Sequence, residues 1–233
     1  MKIFGRGFIG SNLRRLELSK DFLVYAAGVS NSNQNEVSAY KKEINVFKKV
    51  LKTVNAKKKF IYISSLSVEN KKLRNDRYVK NKLLIENLIK KNIQQYLIVR
   101  LPQIVGRNKN KFTLTNFLYK NIKLGKPIIL WKNSIRNLID IDDIVKILKK
   151  YLKNKPRINT TINIFNPKSV KVISLIKLFS EILNKEVKIK MITRENKNIN
   201  FNKLRKNTRL PNRYYKTIDK KNYIESVLRK YYL

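Results

Sequence analysis

The sequence predicts an α/β fold in which a parallel sheet is flanked by helices. Three observations carry this. Short apolar runs alternate with stretches whose apolar residues recur every three or four positions, the rhythm of strands and helices in a parallel sheet. Three of only six glycines, Gly5, Gly7 and Gly10, fall within the first ten residues, directly behind a short apolar run. The chain has 233 residues, 42% of them hydrophobic, which is enough for the core of one globular unit or of a core domain with a smaller lobe.

The elements follow in order. Lys2–Phe4 is a short strand, and Ser11–Leu16 continues as a helix with Ile9, Leu13 and Leu16 on one side. Phe22–Gly28 is a buried strand ending in small residues. Residues 37–55 form a helix through Tyr40, Phe47, Val50 and Val54, and Phe60–Ile63 is the next buried strand, ending in Ser64–Ser67. Residues 78–91 form an amphipathic helix, and Tyr96–Val99 a strand followed by Pro102. Residues 112–124 are helical until Gly125 and Pro127 stop them. Ile128–Leu130 is a short strand, and Asp142–Leu152 a helix capped by Asp140 or Asp142. Then come a strand at Ile162–Phe165, a helix at Ser174–Leu183 and a half-exposed strand at Val187–Met191. Residues 194–218 read as polar and irregular, and 219–232 as a last helix. There is no internal repeat.

Composition narrows the chemistry. There is no cysteine, which excludes disulfides, Cys–zinc sites and thiol nucleophiles. There is no histidine, which excludes Ser-His-Asp triads and imidazole metal ligands, and no metal site is expected. Acid–base work must fall to Tyr, Lys or a carboxylate. Lys plus Arg number 54 against 15 acids, a net charge of +39, which points to an anionic partner. Much of that excess sits at the end of the chain: residues 185–233 carry 15 basic and 4 acidic residues. Lysine, isoleucine and asparagine are all abundant, so A/T-rich codons account for part of the charge. No run of about 18 apolar residues offers a membrane span, and the start of the chain lacks the long apolar region of a signal peptide, so a cytoplasmic location is expected.

Two motifs carry function. Gly5-Arg6-Gly7-Phe8-Ile9-Gly10 reads G-x-G-x-x-G between a strand and a helix, the context in which such a turn cradles a pyrophosphate. Tyr78 and Lys82 stand four apart on one helical face, where an ammonium stabilises a phenolate and makes tyrosine usable in proton transfer without histidine. Ser65, thirteen residues before Tyr78, ends a strand where its hydroxyl can bond a substrate oxygen. Tyr-x-x-x-Lys alone is weak in a chain with 12 tyrosines; its place after the glycine turn, the small-residue strand and the serine-ended strand is what makes it informative.

In that order the chain resembles the extended short-chain dehydrogenases/reductases, in particular the NAD-dependent epimerase/dehydratase group acting on nucleotide sugars. The resemblance covers nearly the whole chain. Gly5–Leu13 matches the family's cofactor turn, Leu23–Gly28 the strand beneath the cofactor, Phe60–Val68 the catalytic serine strand, and Tyr78, Lys82 and Glu86 the Tyr-x-x-x-Lys-x-x-x-Glu helix. Val99–Gly106 is similar to the segment leading to the sugar site, and Arg136–Ile144 to an Arg-containing block that contacts the substrate diphosphate. The resemblance implies a Rossmann-like sheet with a small α+β C-terminal substrate lobe. Residues 1–107, with 136–165 returning, would form the dinucleotide-binding core, and 108–135 with 166–233 the lobe. It implies catalysis by Ser65, Tyr78 and Lys82, and cofactor contacts from Gly5, Arg6, Gly7, Phe8, Ile9, Gly10, Ala26, Ala27, Gly28, Tyr78 and Lys82. Substrate contacts would come from Ser65, Gln103 and Arg136.

The implied activity is that of an NAD(P)-dependent nucleotide-sugar oxidoreductase, a 4-keto reductase or 4-epimerase serving surface polysaccharide synthesis, with a homodimer as the expected assembly and no nucleic acid partner. Leu66 and Ser67 stand where 4,6-dehydratases carry an acidic pair, which argues against a dehydratase. One departure is large. Only residues 11–25 lie between Gly10 and Ala26, where the family has two further strand–helix units, so about two such units should be absent. The residue that reads the adenosine ribose would go with them. Arg6, Arg14 and Arg15 then tilt the cofactor toward NADP. A second function class competes with this one: a degenerate scaffold without catalysis, binding RNA or an anionic membrane through basic clusters interleaved with aromatics, as at Arg213–Lys216 and Arg229–Tyr232. The plainer reading of those clusters, and the favoured one, is a solvated face of a C-terminal helix. An inactive subunit paired with a full-length relative is a third possibility.

Overall fold

In a computed structural model of the chain, all residues are described except 30–35, 155, 194–197, 202–203, 205–208 and 217. At its centre is a five-stranded sheet built from β1 (Lys2–Phe4), β2 (Phe22–Tyr25), β3 (Lys59–Ser65), β4 (Tyr96–Leu101) and β9 (Thr160–Asn163). Its order is β1-β2-β3-β4-β9 and every pairing is parallel. As expected, among the described residues no strand lies outside β1; the two missing units leave it as the edge.

Alternate residues of each central strand feed two cores, which is why the strands read as continuous apolar runs. Leu23, Tyr25, Phe60, Tyr62 and Ile98 pack against α2 (Val37–Leu51) and α3 (Arg77–Asn92). Phe22, Val24, Ile61, Ile63 and Val99 pack on the other face with α1 (Phe8–Leu13), the 3₁₀ turn Arg14–Leu16 and α5 (Ile141–Lys153). That second core continues without a break into α4 (Leu114–Lys123), α6 (Val172–Leu183) and α7 (Tyr223–Tyr232).

The shortening leaves a mark on topology. The steps β1 to β2 and β2 to β3 go the same way across the sheet, yet α1 crosses on one face and α2 on the other. The two crossovers are therefore of opposite hand, whereas such connections are right-handed in about 98% of cases. This is what removal of two units between α1 and β2 leaves behind. The helix keeps its face, while the strand it leads to lies on the opposite side of β1.

Most predicted elements are present, with ends moved by a few residues. The helix expected over 37–55 stops at Leu51, and Asp140 is the cap of α5, its carboxylate accepting from Asp142 N–H at 2.9 Å. β9 is Thr160–Asn163 rather than Ile162–Phe165, because the ladder to β4 ends at Asn163 while Ile164 and Phe165 run on as buried extended chain. The strand expected at Val187–Met191 is β11 (Ile189–Ile192), parallel to β6 (Ile128–Trp131). Four short strands fell below the periodicity signal: β5 (Gln103–Val105) pairs with β8 (Leu138–Asp140), and β7 (Ile135–Arg136) with β10 (Val170–Lys171).

In the C-terminal clusters the basic residues Arg213, Lys216, Arg229 and Lys230 are exposed, as a solvated face would have them, but the tyrosines beside them are buried or half-buried. Tyr214 and Tyr215 are buried, with the Tyr215 hydroxyl donating to Asn163 O at 2.9 Å. Tyr232 packs its ring 5.1 Å from those of both Tyr119 and Phe179 and donates to Asn116 Oδ1. Tyr231 donates to Asp140 Oδ1 at 2.6 Å, and Lys230 reaches Asp140 and Asp142 at 2.7 and 2.6 Å. These side chains fasten the end of the chain to the start of α5, and their rings are not offered to nucleobases. The rest of the segment read as irregular, 194–208, lies largely outside the described residues.

Candidate functional site

A cleft of about 970 Å³ opens at the C-terminal ends of β1 to β4, where open parallel sheets bind their ligands. Its lining includes Gly5–Ile9, Ala26–Gly28, Ser65, Tyr78, Lys82, Gln103 and Arg136. Every expected site residue except Gly10 therefore lines one cavity, and Gly10 is buried directly behind the turn.

The glycine turn follows β1 because Ala26 N–H continues the ladder past β2, donating to Phe4 O at 2.8 Å. A side chain at Gly5 would meet Ala26 O at 2.5 Å, and its φ of +131° is one that L residues avoid. A side chain at Gly10 would strike Gly5 O, so this glycine lets α1 close on the turn. Gly7 differs: nothing lies within 4 Å of where its Cβ would stand, so the backbone there is open to a ligand. Tight turn, close approach and close packing are the three demands that a bound pyrophosphate makes of such a sequence, and the turn fits a dinucleotide.

Ser64 and Ser65 end β3 with opposite duties. Ser64 is buried and donates from Oγ to Glu86 Oε1 at 2.7 Å. Ser65, half-buried in the cleft wall, caps the turn after the strand by accepting from Ser67 N–H at 3.2 Å, which leaves its own proton to donate. The α3 helix begins at Arg77, capped by Asp76, whose carboxylate accepts from Val79 N–H at 3.2 Å. Tyr78 thus lies in the first turn and Lys82 in the second, with Lys82 Nζ 5.4 Å from the Tyr78 ring centre. Beneath them Glu86, fully buried, also receives Arg100, which reaches Glu69 with its remaining nitrogen. The family-like Glu of the helix motif is therefore a brace between α3, β3 and β4.

Sequence reasoning missed Glu43, on α2. Its side chain is 1% exposed and Oε1 accepts from Lys82 Nζ at 2.9 Å. Burial works against a charged Lys82, but the Glu43 carboxylate, through its charge and its hydrogen bond, opposes this, and the lysine lies above its ordinary pKa. A signal was present: Tyr40, Glu43, Phe47 and Val50 form the buried stripe of α2, and an acid within an apolar stripe calls for a partner.

Across the cleft, Gln103 is exposed on β5 and Arg136 is half-buried on β7. Arg136 donates to Ile135 O at 2.9 Å, and burial lowers its pKa with no acidic group opposing among the described residues. A guanidinium so placed is a site for an anion. Of the three arginines expected near the cofactor, Arg6 lines the cleft and Arg14 is exposed, but Arg15 is ion-paired with Asp142 of α5.

The family model of the NAD dependent epimerase/dehydratase family matches residues 11–164. No curated protein sequence matches the chain. Among solved structures, RMD from Pseudomonas aeruginosa complexed with NADPH is similar at 15% identity, a TM-score of 0.71, and coverage of 97% of this chain and 95% of that one. UDP-glucuronic acid 4-epimerase from Bacillus cereus in complex with NAD is similar at 18% identity and a TM-score of 0.71, over 94% of this chain and 76% of that one. UDP-glucose 4-epimerase from Thermotoga maritima, with UDP-glucose, gives 16% and 0.60, over 95% and 82%. At these identities the structures speak to the fold, while the family match spans about two thirds of the sequence and settles membership: the chain belongs to the NAD dependent epimerase/dehydratase family.

Proposed function

We propose that this protein is an NAD(P)-dependent nucleotide-sugar oxidoreductase, a 4-keto reductase or, as the second choice, a 4-epimerase, acting in the cytoplasm in surface polysaccharide synthesis. The observation that carries the reading is the convergence on one cleft of a glycine cradle, a tyrosine–lysine pair and an arginine that has no acidic partner among the described residues. In this reading residues 1–107 with 136–165 hold the cofactor, and 108–135 with 166–233 the sugar nucleotide.

When bound, the nicotinamide exchanges a hydride with a sugar carbon. The chain's own groups do the rest. Tyr78 gives a proton to the sugar oxygen in reduction and takes one in oxidation. Lys82, beside the Tyr78 ring, holds the nicotinamide ribose. Ser65 donates to the same sugar oxygen with the proton its cap leaves free. Arg136 takes the diphosphate with charge-assisted bonds, and Gln103 contacts the sugar. Leu66 is core and Ser67 carries no charge, so the acidic pair that a 4,6-dehydratase uses has no counterpart here. NADP is preferred to NAD because Arg6 reaches the cleft and Arg14 is exposed at the surface, although Arg15 is spent on Asp142.

The test is turnover of NAD(P)H with a panel of nucleotide 4-keto-sugars, and of nucleotide sugars for epimerisation. Tyr78→Phe should fold normally and lose about 10²–10⁴-fold in turnover, the usual share of general acid–base catalysis. A fully active Tyr78→Phe protein would sink the assignment. The scaffold reading gains if neither cofactor binds the wild type.

A further inference from the structure

We propose that Glu43 is a positioning residue for this site: its charged carboxylate locks Lys82 to the backbone at Gly28–Val29, so that the catalytic lysine is held, protonated, at the cleft wall. The inference rests on the functional reading above for what Lys82 does, and on geometry for what holds it.

Both carboxylate oxygens are fully engaged as acceptors. Oε1 takes Lys82 Nζ at 2.9 Å. Oε2 takes Asn81 Nδ2 at 2.9 Å and Val29 N–H at 3.0 Å. These three donors belong to two separate elements, α3 and the segment after β2, while Glu43 itself comes from a third, α2. The carboxylate thus ties the catalytic helix to the small-residue segment along the cleft. Gly28 is shaped to admit it: a Cβ there would collide with Glu43 Oε1 and stand 3.1 Å from Lys82 Nζ, and Gly28 has a φ of +127°.

A purely structural role explains this arrangement badly. Burying an ion pair in a core gains little over well-packed apolar side chains, because desolvation offsets the attraction. Here the Tyr62 ring, part of the apolar cluster beneath α2 and α3, lies 5.9 Å from Lys82 Nζ, so the pair borders the core. What the pair provides is a lysine that stays charged although its side chain is 6% exposed, with its nitrogen beside the Tyr78 ring and in the cleft lining.

Glutamine is the informative substitution, because it keeps the shape and cannot keep the bonds. With donors facing both oxygens, an amide NH₂ must confront either Lys82 or the Asn81–Val29 pair. The experiment compares wild type with Glu43→Gln, Glu43→Asp, Lys82→Met and the double variant Glu43→Gln/Lys82→Met. Lys82 acylation by acetic anhydride near neutral pH is followed by peptide mass spectrometry, with exposed Lys41 as the internal reference. NADPH binding is followed by nicotinamide fluorescence, and turnover is resolved into kcat and KM.

Losing the carboxylate should leave Lys82 partly neutral and raise its labelling rate relative to Lys41 by about tenfold, with or without cofactor. NADPH binding and kcat should each fall by about tenfold while KM for the nucleotide sugar holds, Glu43→Asp should recover most of both, and the double variant should match Lys82→Met alone. The proposal is overturned if Glu43→Gln changes only the unfolding midpoint, if Lys82 labelling is unchanged, or if the two substitutions add. A wild type that binds neither NADPH nor NADH overturns the functional reading instead, and the labelling ratio still decides whether Glu43 controls Lys82.

Discussion

Arg136→Met should make the empty protein more stable and the liganded one weaker. The guanidinium is half-buried on β7, its hydrogen bond goes to the Ile135 carbonyl at 2.9 Å, and burial alone sets its pKa below the usual arginine range. Methionine occupies a similar volume, packs without charge and adapts to irregular gaps. Removing a partly desolvated charge that has no acidic partner among the described residues should add about 1 kcal/mol, the low end for an unsatisfied group, since this one is half-buried and keeps a carbonyl bond. For a chain of this size that is an increase of about 2–4 °C in midpoint. The same guanidinium, when it meets a diphosphate, makes charge-assisted bonds of roughly 1.5–3 kcal/mol each. One such bond lost is about a 10–150-fold weaker nucleotide sugar. Urea unfolding of the unliganded proteins at pH 7 gives the first number, and calorimetric titration with a UDP-sugar and with NADPH gives the second. An unliganded variant less stable than wild type would refute the reasoning about the uncompensated charge. Equal loss of both ligands would show that the whole cleft had shifted.

Two further outcomes follow from the charges around the cleft and α5. Lys230 and Arg15 hold the Asp142 carboxyl at about 2, below the 3.8 of a free side chain, against the opposing pull of burial. A carboxyl lowered on folding contributes stability that is present above its unfolded pKa and is lost as pH falls through its folded one. Lys230→Met should therefore cost about 1 kcal/mol at pH 7, a figure discounted because Lys230 is 43% exposed, and the gap from wild type should close between pH 4 and pH 2 in urea titrations. A gap that stays constant down to pH 2 would mean the lysine acts through packing. Arg6→Ala should weaken NADPH more than NADH; a wild type that favours NADH by more than about tenfold would remove the basis for an arginine-read 2′-phosphate.

The fold and most of the site were legible because both depend on local pattern. β1, the glycine turn, the Ala26–Gly28 end of β2 and the Tyr78/Lys82 helix are each marked by residues close in sequence, and even the missing strand–helix units could be read from the short interval between Gly10 and Ala26. What stayed hidden depends on contacts across the chain. Glu43 looks like an ordinary acid in a lysine-rich helix until Lys82, 39 residues away, is packed against it. Arg15 reads as a candidate for a cofactor phosphate until α5 brings Asp142 to it, 127 residues on. The tyrosines at the end of the chain resemble an exposed basic–aromatic stretch because nothing local says that Asp140 and Asn116 will receive their hydroxyls. β9 was misplaced for a related reason: apolar residues mark burial, and at Ile164 and Phe165 burial continues after the ladder has ended.

Strand order that runs from one edge to the other has a consequence for how the chain assembles. In a sheet whose first strand ends up in the middle, later segments must return to dock on both sides of it. Here β1, β2, β3 and β4 are neighbours in space in the order in which they leave the ribosome. Each new strand needs only the one before it, so loop closure stays short and this half of the molecule can be laid down like courses of brick during synthesis. Only β9 must wait, arriving 58 residues after β4 to shut the growing side against Leu97–Arg100. The opposite side, β1, has no strand against it among the described residues, and it is guarded by brevity and charge: three residues long, with exposed Lys2 folded over the Phe4 ring, it offers little for another chain to pair with.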